Sequence, residues 1–273
     1  MSLSRRDLFR GGAAFGLAAA LGPRALAAPA AGRTFVLVHG AWHGGWCWRR
    51  VSDALRARGH RVFTPTLTGL GERAHLMSRD ITLDTFGTDV GAAIEAEELE
   101  DVVLVGHSFA GSVLSILAER MPQRLNQLVY LDSLIIQPGK SVFDSLPPET
   151  VAQRKKTAQE SSGGLSIPAP EAASFGVAEG PDAEWLRRRL TPHPIGTYES
   201  PLNIKGPIGG GLKRTYVHCS RPEYPSMAAS REWVRAQPGW GWREFPTGHD
   251  CMITAPAALT DMLEALAREP ARA

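Results

Sequence analysis

The sequence predicts an α/β fold in which a mostly parallel sheet carries helices on both faces and an inserted cap. Three observations carry that prediction. From Thr34 onward short β-branched runs alternate with amphipathic stretches, the rhythm of strand–helix units. The runs Thr34-Phe35-Val36-Leu37-Val38 and Val102-Val103-Leu104-Val105 are apolar at every position, as strands covered on both faces must be. Between about residues 134 and 212 the rhythm breaks into Pro, Gly and Ser, and a gap that long inside a compact domain is rarely plain loop.

Taken in order, the first segment is not expected to belong to the fold. Ser4-Arg5-Arg6-Asp7-Leu8-Phe9-Arg10 precedes a short apolar stretch, Gly11 to Leu21, and the small-residue pattern Ala25-Leu26-Ala27. A cationic start, an apolar middle and an A-x-A exit have the layout of a cleaved signal, and the twin arginine points to the Tat export machinery. Residues 1–27 are therefore read as a Tat-type signal peptide and 28–273 as the folded domain, exported to the bacterial periplasm or beyond. The apolar middle is too short and Gly-rich for a stable membrane span.

Within the domain, Thr34–Val38 reads as the first strand, Val51–Arg58 as a helix closed by Gly59, and Arg61–Phe63 as the next strand. Val102–Val105 leads into a helix over Ser112–Met121 that stops at Pro122. Leu128–Leu131 is a further strand ending at Asp132. Thr215–Cys219 and Trp242–Phe245 complete the sheet, and Ala257–Ala267 closes the chain as a helix. In the cap, only a modest helix over Asp182–Leu190 is expected.

Composition narrows the function classes. The 273 residues carry 30 Lys+Arg against 28 Asp+Glu, and 43% are apolar, which is ordinary globular usage. No cationic cluster suits nucleic acid; the triplets Arg154-Lys155-Lys156 and Arg187-Arg188-Arg189 read as solvated faces. Three cysteines without paired spacing give neither a disulfide framework nor a structural metal site. No metal is expected. Cleavage after Ala27 would turn the formal charge of +2 into about −1, so the slight basicity belongs to the leader.

Three motifs carry chemistry. Val105-Gly106-His107-Ser108-Phe109-Ala110-Gly111 sits where a buried strand turns directly into a helix. Such a nucleophile elbow needs small residues two before and two after the serine, here Gly106 and Ala110, and it exposes Ser108 over the sheet with the helix N-terminus behind it. Val38-His39-Gly40-Ala41-Trp42-His43-Gly44-Gly45-Trp46 follows the first strand, and its backbone can reach the same oxyanion. Ala41 and Phe109 are the expected N–H donors. No Gly-Lys-Ser/Thr follows, which excludes a phosphate loop. Gly69-Leu70-Gly71-Glu72-Arg73-Ala74, behind Pro65 and without a clear helix after it, reads as loop rather than a dinucleotide fingerprint. Phe245-Pro246-Thr247-Gly248-His249-Asp250 ends the last strand in a Gly-His loop, so His249 is the expected base. His39, His43 and His107 read as structural hydrogen-bonders, while His60, His75, His193 and His218 lack motif context.

The stretches His39 to Trp48, Thr66 to Arg73, Gly106-His107-Ser108 and Gly248-His249 resemble the α/β-hydrolase family, and within it the group of plant methyl esterases and hydroxynitrile lyases. The resemblance implies an α/β-hydrolase fold and a Ser-Asp-His esterase without cofactor, acting on a small-molecule ester through an acyl-enzyme. Two departures stand out. Lyases of the group carry Lys after the catalytic His, whereas this chain has Asp250. Esterases of the group place the acid after the strand matching Thr215–Cys219, where Ser220-Arg221-Pro222 offers none. Two carboxylates remain, Asp132 and Glu223, and Asp132 is favoured because strand ends fix side chains better than loops. Trp42 and Trp185 are expected to line a substrate pocket. A lyase, an amidase or lactonase, or a hydrolase-shaped binding protein are the alternatives; the sequence leaves a homodimer open.

Overall fold

The computed structural model describes residues 32–269; the leader expected over residues 1–27, with its cleavage site, lies outside the described residues. The elements follow in chain order. β1 (Thr34–Val38) leads through a 3-10 turn into α1 (Arg49–Ala57), then come β2 (Arg61–Phe63), α2 (Leu83–Ala96), β3 (Val102–His107), α3 (Gly111–Arg120) and β4 (Leu125–Leu131). The segment over the site holds α4 (Pro148–Ser162), β5 (Ser166–Ile167), α5 (Pro181–Arg187), β6 (His193–Pro194) and α6 (Gly196–Glu199). β7 (Lys213–Cys219), α7 (Ala228–Ala236), β8 (Trp240–Phe245), α8 (Cys251–Thr254) and α9 (Pro256–Arg268) complete the fold.

Six strands form one sheet in the order β2-β1-β3-β4-β7-β8, every pairing parallel. Side chains alternate faces along a strand, so the complete burial of β3 requires cover on both sides of the sheet. Helices supply it, with α1 packed against α9 and α2 against α3. Connections run outward in opposite directions from β1 and β3. Their C-terminal ends therefore flank the crevice where open parallel sheets bind ligands.

Every strand expected from the sequence is present, with edges extended by up to three residues. The expectation for residues 134–212 needs correction, since α4 is a full helix that sequence periodicity did not show. Its residues are almost all polar, and only Ala158 is fully buried, so no apolar stripe announces it. Pro148 in its first turn starts it and Gly163, at φ 61°, ends it. α2, unassigned from sequence, is fixed at its start by a Thr82–Thr85 capping box. Among the described residues no helix is long and apolar enough to cross a membrane.

Candidate active site

At the end of β3 the chain turns so sharply that Ser108 adopts φ 55°, a left-handed conformation that costs a non-glycine residue free energy. The flanks explain how the turn fits. A side chain at Gly106 would collide with Leu114 of α3, and one at Gly40 would sit 2.8 Å from the Ser108 Cβ. The Ser108 carbonyl accepts the Leu134 N–H at 2.9 Å, which locks the elbow onto the segment after β4.

His249 lies on the loop after β8, with one nitrogen on each of two partners. Its Nε2 is 2.9 Å from Ser108 Oγ and its Nδ1 is 2.7 Å from Asp132 Oδ2. Asp132 directly follows β4, is wholly buried, and its N–H donates to the Val217 carbonyl of β7 at 2.7 Å. Strand pairing thus fixes its backbone. Arg231 stands 3.8 Å from the other Asp132 oxygen. Glu223, the alternative acid, is more than half exposed and pairs with Arg231 at 3.1 Å instead of meeting His249. Tyr224, just after it, stacks on the His249 ring at a centroid distance of 4.0 Å.

A second buried network joins the two loops that meet above Ser108. His43 Nδ1–H donates to the Ala41 carbonyl at 2.7 Å and Nε2–H to Asp250 Oδ2 at 3.1 Å. Burial opposes the charge on His43, but the Asp250 carboxylate and the Ala41 carbonyl outweigh it and raise its pKa. Asp250 thus turns toward His43, while His107 Nε2–H donates to the His249 carbonyl at 3.0 Å. Burial holds His107 well below the usual histidine range, and the neighbouring His249 and His43 push the same way. His107, His249 and Asp250 offer ligand atoms within 4.8 Å of one another, yet hydrogen bonds to protein already engage all three residues.

The cleft above Ser108 is narrow, with a cavity volume of about 30 Å³. Ala41, Trp42 and Phe109 line it, together with Leu134, Val142, Leu146, Tyr198, Tyr224, Met227 and Arg154. Trp42, at φ 65°, also fastens the cap: its indole N–H donates to Ile167 of β5 and its carbonyl accepts the Thr191 N–H. Trp185 does not reach the cleft. It packs edge-on against Trp46 at 5.0 Å, next to the Arg50–Asp182 ion pair between α1 and α5.

Three lining or supporting groups were not singled out from sequence. His193 accepts the Trp42 N–H at 3.3 Å and packs 4.7 Å from the Phe109 ring. Tyr198 and Tyr224 reach the cleft from the cap and from the loop after β7. Their only sequence signal is an aromatic residue near a turn, which is too common to carry a role.

Residues 35–262 match the alpha/beta hydrolase family. The chain belongs to that family. This hydrolase is 42% identical over 240 residues to the carbendazim hydrolyzing esterase of Nocardioides sp. (strain SG-4G), covering 85% of this chain and 98% of that protein. It is 38% identical over 103 residues to methylesterase 1 of Arabidopsis thaliana, covering 37% of this chain and 39% of that one. Among solved structures, an extracellular alpha/beta-hydrolase from a Paenibacillus species superposes with a TM-score of 0.70 at 24% identity, over 87% of this chain and all of that one. A pyrethroid hydrolase from Sphingobium faniae JZ-2 does so with a TM-score of 0.68 at 22% identity, over 87% and 98%. The resemblance read from the loops after β1, β3 and β8 is borne out at the level of family and group.

Proposed function

We propose that this hydrolase is a serine carboxylesterase whose nucleophile, base and acid are Ser108, His249 and Asp132. One observation carries the reading: a hydrogen-bonded line runs from Asp132 through His249 to Ser108 at the floor of a largely apolar cleft. His249 Nε2 takes the Ser108 proton as Oγ attacks the ester carbonyl carbon. The Ala41 and Phe109 N–H groups receive the developing oxyanion, each such donor being worth about 10²–10³ in rate. His249 then protonates the departing alkoxide, leaving an acyl-Ser108. Water, deprotonated by the same imidazole, releases the acid and regenerates the hydroxyl. Asp132 holds the imidazole tautomer and stabilises the imidazolium without taking its proton.

The esterase activities named for the relatives, at 42% identity over nearly the whole length of one, support the same reaction class. Lyase chemistry of the resembling group uses a cation beside the base, and here Asp250 occupies that position and faces His43. The test uses a short-chain aryl ester and a phosphonate that labels the nucleophile. Turnover and labelling are expected in the native chain and absent from Ser108→Ala. Asp132→Asn is expected to lower kcat by about 10⁴, while Glu223→Gln keeps most of it. A native chain that neither turns over ester nor takes label would overturn the proposal, and so would loss of activity on the Glu223 change alone.

A further inference from the structure

α4 is a cap helix with a polar sequence, and its few inward positions matter accordingly. Val151, Arg154 and Ala158 follow the three-then-four spacing of one helical stripe and are the residues least open to solvent on their turns. An arginine on that stripe reads against its lysine neighbours. Lys155 and Lys156 pair with Glu199 and Glu160, whereas Arg154 has no carboxylate partner among the described residues. Its guanidinium lies 5.2 Å from the Tyr198 ring centroid, and the side chain lines the same cleft as Ser108. Burial pushes the Tyr198 hydroxyl up to about 12, so beside Arg154 it stays a neutral donor.

Among the described residues no acidic side chain lines that cleft. One half-buried cation and neutral hydroxyls therefore share a chamber otherwise walled by Trp42, Phe109, Leu134, Val142, Leu146 and Met227. Guanidinium is built to grip a carboxylate with paired N–H donors, and its attraction strengthens where apolar walls exclude water. We propose that Arg154 determines specificity: it selects esters that carry a carboxylate at the end remote from the scissile bond. The proposal rests on the serine esterase reading, since it concerns what that same cleft prefers. Arg154 binds the remote carboxylate and touches none of the bonds being broken.

The experiment compares charged and neutral esters of matched shape in two series. Monomethyl glutarate against dimethyl glutarate puts the carboxylate on the acyl side; 3-acetoxypropanoate against butyl acetate puts it on the alcohol side. The expected result is a kcat/KM advantage for the charged ester of about tenfold or more in one series, carried by KM and shrinking as salt rises. In Arg154→Met the charged-to-neutral ratio should fall to about one or below, and Arg154→Lys should restore part of it. Neutral esters preferred in both series by an active native enzyme would overturn the inference, as would a ratio unchanged in Arg154→Met. If no ester turns over and phosphonate leaves Ser108 unlabelled, the esterase reading itself has failed and this inference falls with it.

Discussion

Of the five non-glycine residues with left-handed backbone among the described residues, Glu98 and Asp101 sit in the turn before β3 and the other three at the candidate site. Ser108, Asp132 and Trp42 adopt φ values of 55°, 41° and 65°, and all three face the cleft or the His249 ring. Each such conformation costs about 1–3 kcal/mol and persists only where neighbours enforce it. Two variants that both lack the hydroxyl isolate that cost. Ser108→Gly is expected to be about 1 kcal/mol more stable than Ser108→Ala toward urea, because glycine accepts the left-handed turn; equal midpoints would mean the elbow is unstrained. At this scale the sequence was legible where a local pattern enforces a role. Gly106 precedes Ser108 because a side chain there would meet Leu114, Ala110 after it is fully buried, and Asp132 closes a strand. Arg154 carried no such pattern: its inward turn follows from the placement of a whole helix, and a basic triplet alone reads as surface. Trp185 failed for the same reason: the side of the domain that α5 covers follows from long-range packing, which leaves no pattern around the residue itself.

The loops after β1 and β8 act as one element because His43 and Asp250 join them. Through His43 the Asp250 carboxylate, next in sequence to the proposed base His249, holds the carbonyl of Ala41, whose N–H is the proposed oxyanion donor. Removing one partner of a buried ion pair typically costs about 3–5 kcal/mol, since the other charge is left uncompensated. Asp250→Asn, which keeps shape and part of the hydrogen bonding, is expected to lose about 3 kcal/mol of stability and to lower kcat at least tenfold while KM changes little. Combining it with His43→Gln should recover part of the stability, and the double-mutant cycle reads that coupling. Additive losses would show that the pair does not act as a unit. Strands were the elements most readable in advance, because burial on both faces demands unbroken apolar runs. α4 was the least, because a helix that lies over a cleft and faces solvent needs no amphipathic signature.

The whole molecule carries several histidines whose charge state folding dictates. Burial lowers the His39 pKa to about 3 and holds His107 and His193 well below the usual range. An unfolded chain takes up protons at these sites below about pH 6.5 that the folded chain refuses. Stability therefore falls as pH drops through that window, by about 1.4 kcal/mol per unit for each histidine once the unfolded chain is fully protonated. His43 works in the opposite sense. Its raised folded pKa adds stability that is complete below the unfolded value and is lost as pH rises through the folded one. Urea midpoints between about pH 7.5 and pH 5 should thus decline steeply on the acid side; a flat profile there would contradict neutral burial of the three. The sheet order follows from strand–helix alternation and was legible as a fold class, whereas the packing that neutralises these rings is long-range and left no local trace. The placement of Asp132 has one more consequence. The proposed nucleophile and acid, Ser108 and Asp132, belong to a single strand–helix–strand unit, and only His249 comes from far away, 117 and 141 residues along the chain from Asp132 and Ser108. Two thirds of the proposed triad can be set by short-range topology, so the long loop closure needed to assemble it falls on the arrival of one imidazole.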